Sequence, residues 1–423
     1  MTAQQNAPLA APPYPGPAPQ SSRPEQLSAV DLVAGYPVGA VSRATVLAEA
    51  RGPTGSLPGH QQLATDPWTA LELATLPALE RTPCVVAFSG GRDSSLVLAA
   101  ASSAARRWGL APPVPATLCF QSAASDEAKW QASVLRHLRI ADWQRLRLTD
   151  ELDFLGAIAQ EQLTTWGLRY PANAHSMVPV LQEARGGALL TGLGGDDILG
   201  SWRWAGRSRL RPRRRAGALS AATLTVVGTF PRPVRRAVLA ERLRRQMSRE
   251  KRGYSWLTPK GRGVALAALV DADDQPTAWP AFVEWVGRRR HTRVTQQTMA
   301  QLAASYDVAM PTPLLDQDFS SALAAAAPRR GFADRTAATA AVAAGHLPAE
   351  LVSRRDKALF HEAFWGHNAR SFAQSWPGRG VDRSLVDPEM LRSEWSSPCP
   401  DFRSTLLLHH CWLGTHGGEA PPP

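Results

Sequence analysis

The chain has 423 residues, 44% of them apolar and 20% charged, a globular composition long enough to build a core without disulfide or metal staples. No run approaches the ~18 unbroken apolar residues of a membrane span, and no basic-then-apolar leader opens the chain, so a cytoplasmic protein that crosses no membrane is expected. The net charge of +11 is concentrated in one place: positions 201–262 hold 18 Lys and Arg against two acids, which leaves the rest of the chain at −5. Residues 1–26 carry seven prolines and no periodicity, and read as a disordered tail. A lead-in segment, 27–80, ends in a helix that Asp66 caps and Pro67 opens, running to about Leu79. Cys84 to Phe88 is a short buried strand, and Leu96 to Trp108 a helix. Strands over Ala116–Phe120, Trp143–Leu148 and Ala188–Thr191 alternate with helices over Asp126–Leu138, Phe154–Trp166 and Ala174–Ala184. This alternation defines an α/β core with a parallel sheet over 81–200. Beyond Gly200 strand signals fade: a basic helical insertion (201–262) precedes a mainly helical segment (263–416) and a short tail (417–423).

The four cysteines (Cys84, Cys119, Cys399, Cys411) form no CxxC pair, and His409, His410 and Cys411 in a row are poor geometry for one metal, so structural zinc is not expected. Cys84 and Cys119 lie in strand contexts where a thiol acts as a small hydrophobe. The basic segment has three readings: a solvated charged face, a seat for an acidic peptide or carrier, or a nucleic-acid platform in which Trp202, Trp204 and Tyr254 interleave with arginines. The other tryptophans read mostly as core or interface anchors.

Chemistry concentrates in Ser89-Gly90-Gly91-Arg92-Asp93-Ser94-Ser95. Two glycines after a buried strand let the backbone turn tightly against a ligand. The N–H groups that open the next helix, with the Ser94 and Ser95 hydroxyls, make an anion cradle. This is no Walker A loop, which needs GxxxxGK[ST]. An aspartate within a phosphate cradle repels its ligand unless a cation lies between, so Asp93 points to Mg²⁺.

The loop resembles the SGGxDS loop of the PP-loop ATP pyrophosphatases, which cleave ATP to AMP and pyrophosphate. Thr191 to Gly200, with Gly192-Leu193-Gly194-Gly195-Asp196-Asp197 at its centre, is similar to the SGEGADELFGG segment of the asparagine synthetase synthase domain. Pro313-Leu314-Leu315-Asp316 resembles that family's PFLD element, and Leu347-Pro348 with Arg354-Arg355-Asp356-Lys357 its LP…R…K segment. The pieces occur in the family's order across residues 66–370. The resemblance implies a PP-loop sheet flanked by helices, a mainly helical C-terminal half, and ATP with Mg²⁺ as cofactors. It implies a ligase that adenylates a small-molecule or peptide carboxylate and passes it to an amine or ammonia. ATP would lie on Ser89, Gly90, Gly91, Asp93, Ser94, Ser95 and Gly192, with Leu118 and Phe120 either facing the adenine or packing the core. Asp93 and Asp196, at neighbouring strand ends, would hold Mg²⁺ across the switch-point crevice. Asp197 is either a third ligand or the cap of the following helix. Lys357 would neutralise the departing pyrophosphate or the tetrahedral intermediate, or else stand as a solvated helix lysine.

Two departures matter. Asparagine synthetases carry a glutaminase domain whose nucleophilic Cys follows the initiator Met; residue 2 here is Thr and 88 residues precede Ser89, so no glutaminase of its own is expected. The acid of the family's GEG is Leu193, which puts ammonia in question as the nucleophile. The amine is then ammonia, one delivered by a separate amidotransferase or carrier partner, or one on the substrate itself, as in β-lactam and lasso-peptide cyclising relatives. Two other readings stay open: an RNA-modifying PP-loop enzyme, which the Gly192–Gly200 motif disfavours along with nucleic acid as a partner, and a non-catalytic nucleotide-binding homologue.

Overall fold

The structure, a computed structural model, describes residues 25–41, 66–120, 127–200, 202, 230–249, 253–328, 331–354 and 361–416. Most of the expected N-terminal tail, the C-terminal tail, Trp204, Arg211–Arg215 and Lys357 lie outside these residues. Glu25 and Gln26, assigned to the tail from sequence, are described: both are held by Arg290, which donates to the Gln26 carbonyl at 3.1 Å.

Four parallel strands form the sheet: β1 (Cys84–Ala87), β2 (Val114–Cys119), β3 (Gln144–Arg147) and β4 (Ala188–Leu190), in the order β3-β2-β1-β4. Val85 lies opposite both Val114 and Leu189. The chain builds outward from β1 to β3 and then crosses to the other side of β1, so the order reverses between β1 and β4. In open α/β sheets the ligand crevice opens at such a reversal, beyond the carboxyl ends of the strands. Each strand lies within two residues of its expected position, β2 starting two residues earlier at Val114.

The helices of this half are α1 (Ala29–Ala34), α2 (Pro67–Leu79), α3 (Arg92–Trp108), α4 (Ala128–Leu138), α5 (Ala157–Trp166), α6 (Val178–Glu183) and α7 (Gly195–Gly200). Asp66 caps α2 as its sequence position predicts, accepting from the Thr69 amide at 3.0 Å. Helix α3 starts four residues earlier than expected: Arg92 to Ser95 form its first turn, with Gly91 as the N-cap. The helix expected over 154–166 begins at Ala157, because Phe154 is buried in the core and Asp153 accepts from the Leu155, Asn368 and Ala369 amides. The helix expected over 174–184 divides into a 3-10 turn, Ala174–Met177, and α6.

Beyond β4 the described residues form no further strand of the sheet. They fold into α8 (Arg232–Arg249), α9 (Pro259–Asp273), α10 (Trp279–Arg288), α11 (Arg290–Ala304), α12 (Gln317–Ala326), α13 (Arg335–Ala343), α14 (Ala349–Ser353), α15 (His361–Phe364), α16 (His367–Ser375), α17 (Pro388–Trp395) and α18 (Thr405–His416). Alternate strand residues face opposite layers. Cys84, Val86 and Leu190 pack with α2, α3 and α12, whereas Val85, Ala116 and Leu189 pack with α6 and α11. A third cluster buries Trp256, Trp365, Trp376 and Trp395 around Phe154. Among the described residues eight tryptophans are buried, and truncating such a side chain to Ala typically costs ~3–5 kcal/mol.

Burial corrects one reading of the basic segment. Trp202 packs edge-on to Trp279 and donates to the Pro276 carbonyl, and Tyr254 is fully buried with its hydroxyl on the Ala34 carbonyl. Neither ring can stack on a base. Part of the segment's charge also has an internal partner: Arg232, Arg235 and Arg236 of α8 all reach the buried carboxylate of Asp274.

Of the C-terminal trio proposed and discounted as a metal site, His409 is fully buried against the Phe154 carbonyl at 2.9 Å, and burial pushes its pKa down to about 3. An imidazole whose folded pKa lies below its unfolded value opposes folding once the unfolded chain can take up a proton. Stability should therefore fall as pH drops from about 6.5 towards about 3. Urea midpoints across that range should show the loss, and His409→Gln should flatten it. A pH profile identical in the variant would remove His409 as the cause.

Candidate active site

The loop after β1 and the turn after β4 meet at the switch point. Gly90 takes φ +81, and a Cβ there would lie 2.8 Å from Gln131 Cγ, so the turn admits no side chain. Gln131 braces it, donating to the Ser89 carbonyl at 3.2 Å. Ser89 and Ser94 hydroxyls bond each other at 3.0 Å, and Ser89 Oγ accepts from the Gly91 amide at 3.3 Å. These hydroxyls fix the loop as well as facing the cleft. Helix α3 has no side-chain cap, so its opening N–H groups are directed to whatever occupies the crevice. The β4 turn presses against this loop: a Cβ on Gly195 would sit 2.3 Å from Asp93 Cγ. Only glycine allows that approach, and it delivers Asp93 beside Asp196 in the first turn of α7.

A cavity of about 750 Å³ opens there, within the size range of small-molecule sites. Ser89, Gly91, Asp93, Ser94, Leu118, Phe120, Gly192, Asp196 and Asp197 all line it. Leu118 and Phe120 are partly buried, so they both pack and face the cleft. Gly90 shapes the loop without lining the cavity. Ser95, expected to offer its hydroxyl to a phosphate, is fully buried in α3 with no hydrogen bond at its Oγ and does not line the cavity. The Arg92–Ser95 stretch is helix, and its fourth residue turns inward.

Asp197 lies within the first turn of α7, so it is not that helix's cap. Its Oδ1 faces α11, 3.3 Å from His291 Nε2 and 3.9 Å from an Arg289 guanidinium nitrogen. Tyr170 is half-buried nearby; desolvation first, then the Asp197 charge, pushes its hydroxyl up to about 12.

Arg335, at the start of α13, carries no signal in the sequence. Its Nη2 donates to Asp93 Oδ2 at 2.6 Å and its Nη1 to Asp196 Oδ1. One guanidinium thus bridges the two carboxylates assigned to magnesium. Arg92 is close by, with Nη1 at 3.4 Å from the Thr336 hydroxyl, and also lines the cavity. On the other side of the loop, Arg354 forms a buried pair with Glu127, stacks over Trp130 at 4.8 Å and reaches the Gly90 carbonyl at 3.4 Å.

Whether the residues fit a divalent cation is decided at Asp93. Its Oδ1 is buried without a hydrogen-bond partner, and burial holds the carboxyl above the usual range despite Arg335. A carboxylate under-compensated in this way has room for further positive charge. Among the described residues no group of three His, Cys, Asp or Glu could hold a metal. A cation here would share its coordination between Asp93, Asp196 and oxygens of the nucleotide, as Mg²⁺ does with phosphates.

The asparagine synthase family model matches residues 77–410 of the 423. The chain belongs to the asparagine synthase family. Comparison with curated proteins gave no match. Membership makes this an ATP-dependent, amide-forming carbon–nitrogen ligase family domain, and the match includes both glycine-rich turns, the Pro313–Asp316 element and the Leu347–Lys357 segment. No helix among the described residues is long and apolar enough to cross a membrane.

Proposed function

We propose that this asparagine synthase family protein activates a carboxylate as its adenylate and transfers the acyl group to an amine. The observation that carries the reading is the meeting of the Ser89–Ser95 loop and the Gly192–Gly200 turn over one cleft, with Asp93 and Asp196 close enough to share a single cation. A carboxylate oxygen attacks the α-phosphorus of ATP, the bond to the β-phosphate breaks, and pyrophosphate leaves. The amine then adds to the acyl carbonyl, loses its proton, and AMP departs. Asp93 and Asp196 would hold Mg²⁺ together with ATP, and the cation would supply charge neutralisation on the phosphates.

The rest is done by the chain's own groups. The uncapped start of α3 orients the phosphates, and Arg92 adds positive charge beside them. Phe88, Leu118 and Phe120 offer apolar surface to the adenine. Lys357 is assigned to the departing pyrophosphate through the family segment, and Arg354, three residues before it, is anchored at the phosphate loop. His291, set by Asp197, stands where it can accept the amine proton.

The amine is carried on an organic substrate. Leu193 replaces the family's acid, and it shares its side of the cleft with Met177, Val180, Met299 and Met310. Such a wall suits an apolar amine or peptide segment better than ammonia.

Exchange of labelled pyrophosphate into ATP, with Mg²⁺ and separate pools of aspartate, glutamate and peptide carboxylates, tests the adenylation step. Magnesium-dependent exchange with one pool is the expected result. Failure to bind ATP at all would remove the Ser89–Ser95 assignment.

A further inference from the structure

The geometry points to Arg335 as an exchangeable cation. It holds Asp93 and Asp196 while the cleft is free of nucleotide, and passes to the phosphates when a divalent cation arrives with ATP. This rests on the adenylation reading and adds a residue to its machinery.

Three observations carry it. The guanidinium already holds one oxygen on each of the carboxylates that would hold the metal, so cation and arginine compete for the same pair. Two acids pressed together by Gly195 need a counter-charge in either state, and Arg335 supplies one before the metal does. The arginine is also incompletely satisfied where it stands: its Nε is buried without a hydrogen-bond partner, and Asp93 Oδ1 is likewise orphaned beside it. An arginine fork has five donors, and a bridge that leaves one idle and an acceptor unmet is not the best arrangement for either partner.

The alternative partner lies within the same cleft. Arg335 lines the cavity from the first turn of α13, which places the positive end of that helix behind it. Directly beside it, through Asp93, is the uncapped start of α3, where phosphate would lie. The fork that now grips two carboxylates matches phosphate oxygens equally well. Gly200 keeps the arginine stem unobstructed: a Cβ there would already be 3.0 Å from Arg335 Cδ. The consequence is an ordered requirement. Free divalent cation competes with Arg335 and binds poorly; cation with ATP offers the arginine a new partner and binds well.

The test uses the full chain and Mn²⁺ followed by electron paramagnetic resonance, alone and with the non-cleaved analogue α,β-methylene-ATP. Replacing the arginine in Arg335→Gln should tighten binding of Mn²⁺ alone by about 10-fold and weaken binding of the Mn²⁺–nucleotide pair by about 10-fold, the size expected for charge-assisted hydrogen bonds gained or lost. Opposite signs are the signature, since a residue with a merely structural role would weaken both. Equal Mn²⁺ affinity in wild type and variant without nucleotide overturns the proposal, as does nucleotide affinity that fails to fall. If wild type still binds Mn²⁺ with the analogue in those cases, the adenylation reading survives; absence of Mn²⁺ binding in every condition removes both. Should Arg335→Gln fail to fold, Arg335→Lys keeps a charge without the fork, and both affinities should move in the same directions by less.

Discussion

Asp93→Asn should abolish pyrophosphate exchange, by ~10³-fold or more, while leaving the melting temperature unchanged or slightly raised. The activity loss follows from position. Asp93 lies in the first turn of α3, between the phosphate loop and Asp196, and its Oδ1 is the buried acceptor without a partner. An amide at that position cannot neutralise a cation, and its NH₂ group would face the phosphates or Arg335. The stability claim follows from the sign of the carboxyl's shift. Burial raises it, Arg335 opposes the rise, and the balance lies upward. A carboxylate with a folded pKa above its unfolded one opposes folding at any pH where it is ionised. Removing that charge relieves this cost, and Arg335 keeps Asp196 as its partner, so the fold is not weakened. Exchange at the wild-type rate, with circular dichroism unaltered, would sink the metal assignment, whereas a collapse in melting temperature would instead make Asp93 a structural residue.

What could be read in advance and what could not divides along sequence separation. Both glycine-rich turns were legible, because each is a contiguous string following a short apolar run. Their meeting in space was legible too, since the resemblance implied neighbouring strands, and β4 does pair with β1. The start of α3 was misjudged: two glycines make the whole string look like loop, although Arg-Asp-Ser-Ser suits a first helical turn. Arg335 was invisible. It contacts Asp93 across 242 positions, and no local pattern distinguishes it from other surface arginines. His291 was hidden inside a basic run, and only the fold brings it to Asp197 from 94 positions away. Trp202 and Tyr254 show the opposite failure. Their interleaving with arginines suggested a nucleic-acid surface, but alternation in sequence says nothing of which side chains a tertiary contact covers. Ser95 is a milder case, in which helical geometry turns one hydroxyl of an apparent donor pair into the core.

Arg354→Ala should destabilise the protein by about 3–5 kcal/mol, the usual consequence of stranding one member of a buried ion pair. Arg354 and Glu127 side chains are 7% and 8% exposed, and a second hydrogen bond of 2.6 Å makes the pair bidentate. The size of the effect is mainly the penalty on the carboxylate left behind, not the attraction lost. This distinction is measurable. Removing both partners, in Glu127→Ala with Arg354→Ala, should recover a large part of the loss in urea denaturation, because no charge is then stranded. Single variants that unfold at the wild-type urea midpoint would show that solvent reaches the pair. The same cycle separates stability from function. Arg354 also reaches the Gly90 carbonyl and covers Trp130, thereby tying the end of α14 to the phosphate loop and to α4. The double variant should therefore regain stability without regaining ATP affinity. Recovery of both would reduce Arg354 to a charge partner, and the loop would owe its shape to Gly90 and Gln131 alone.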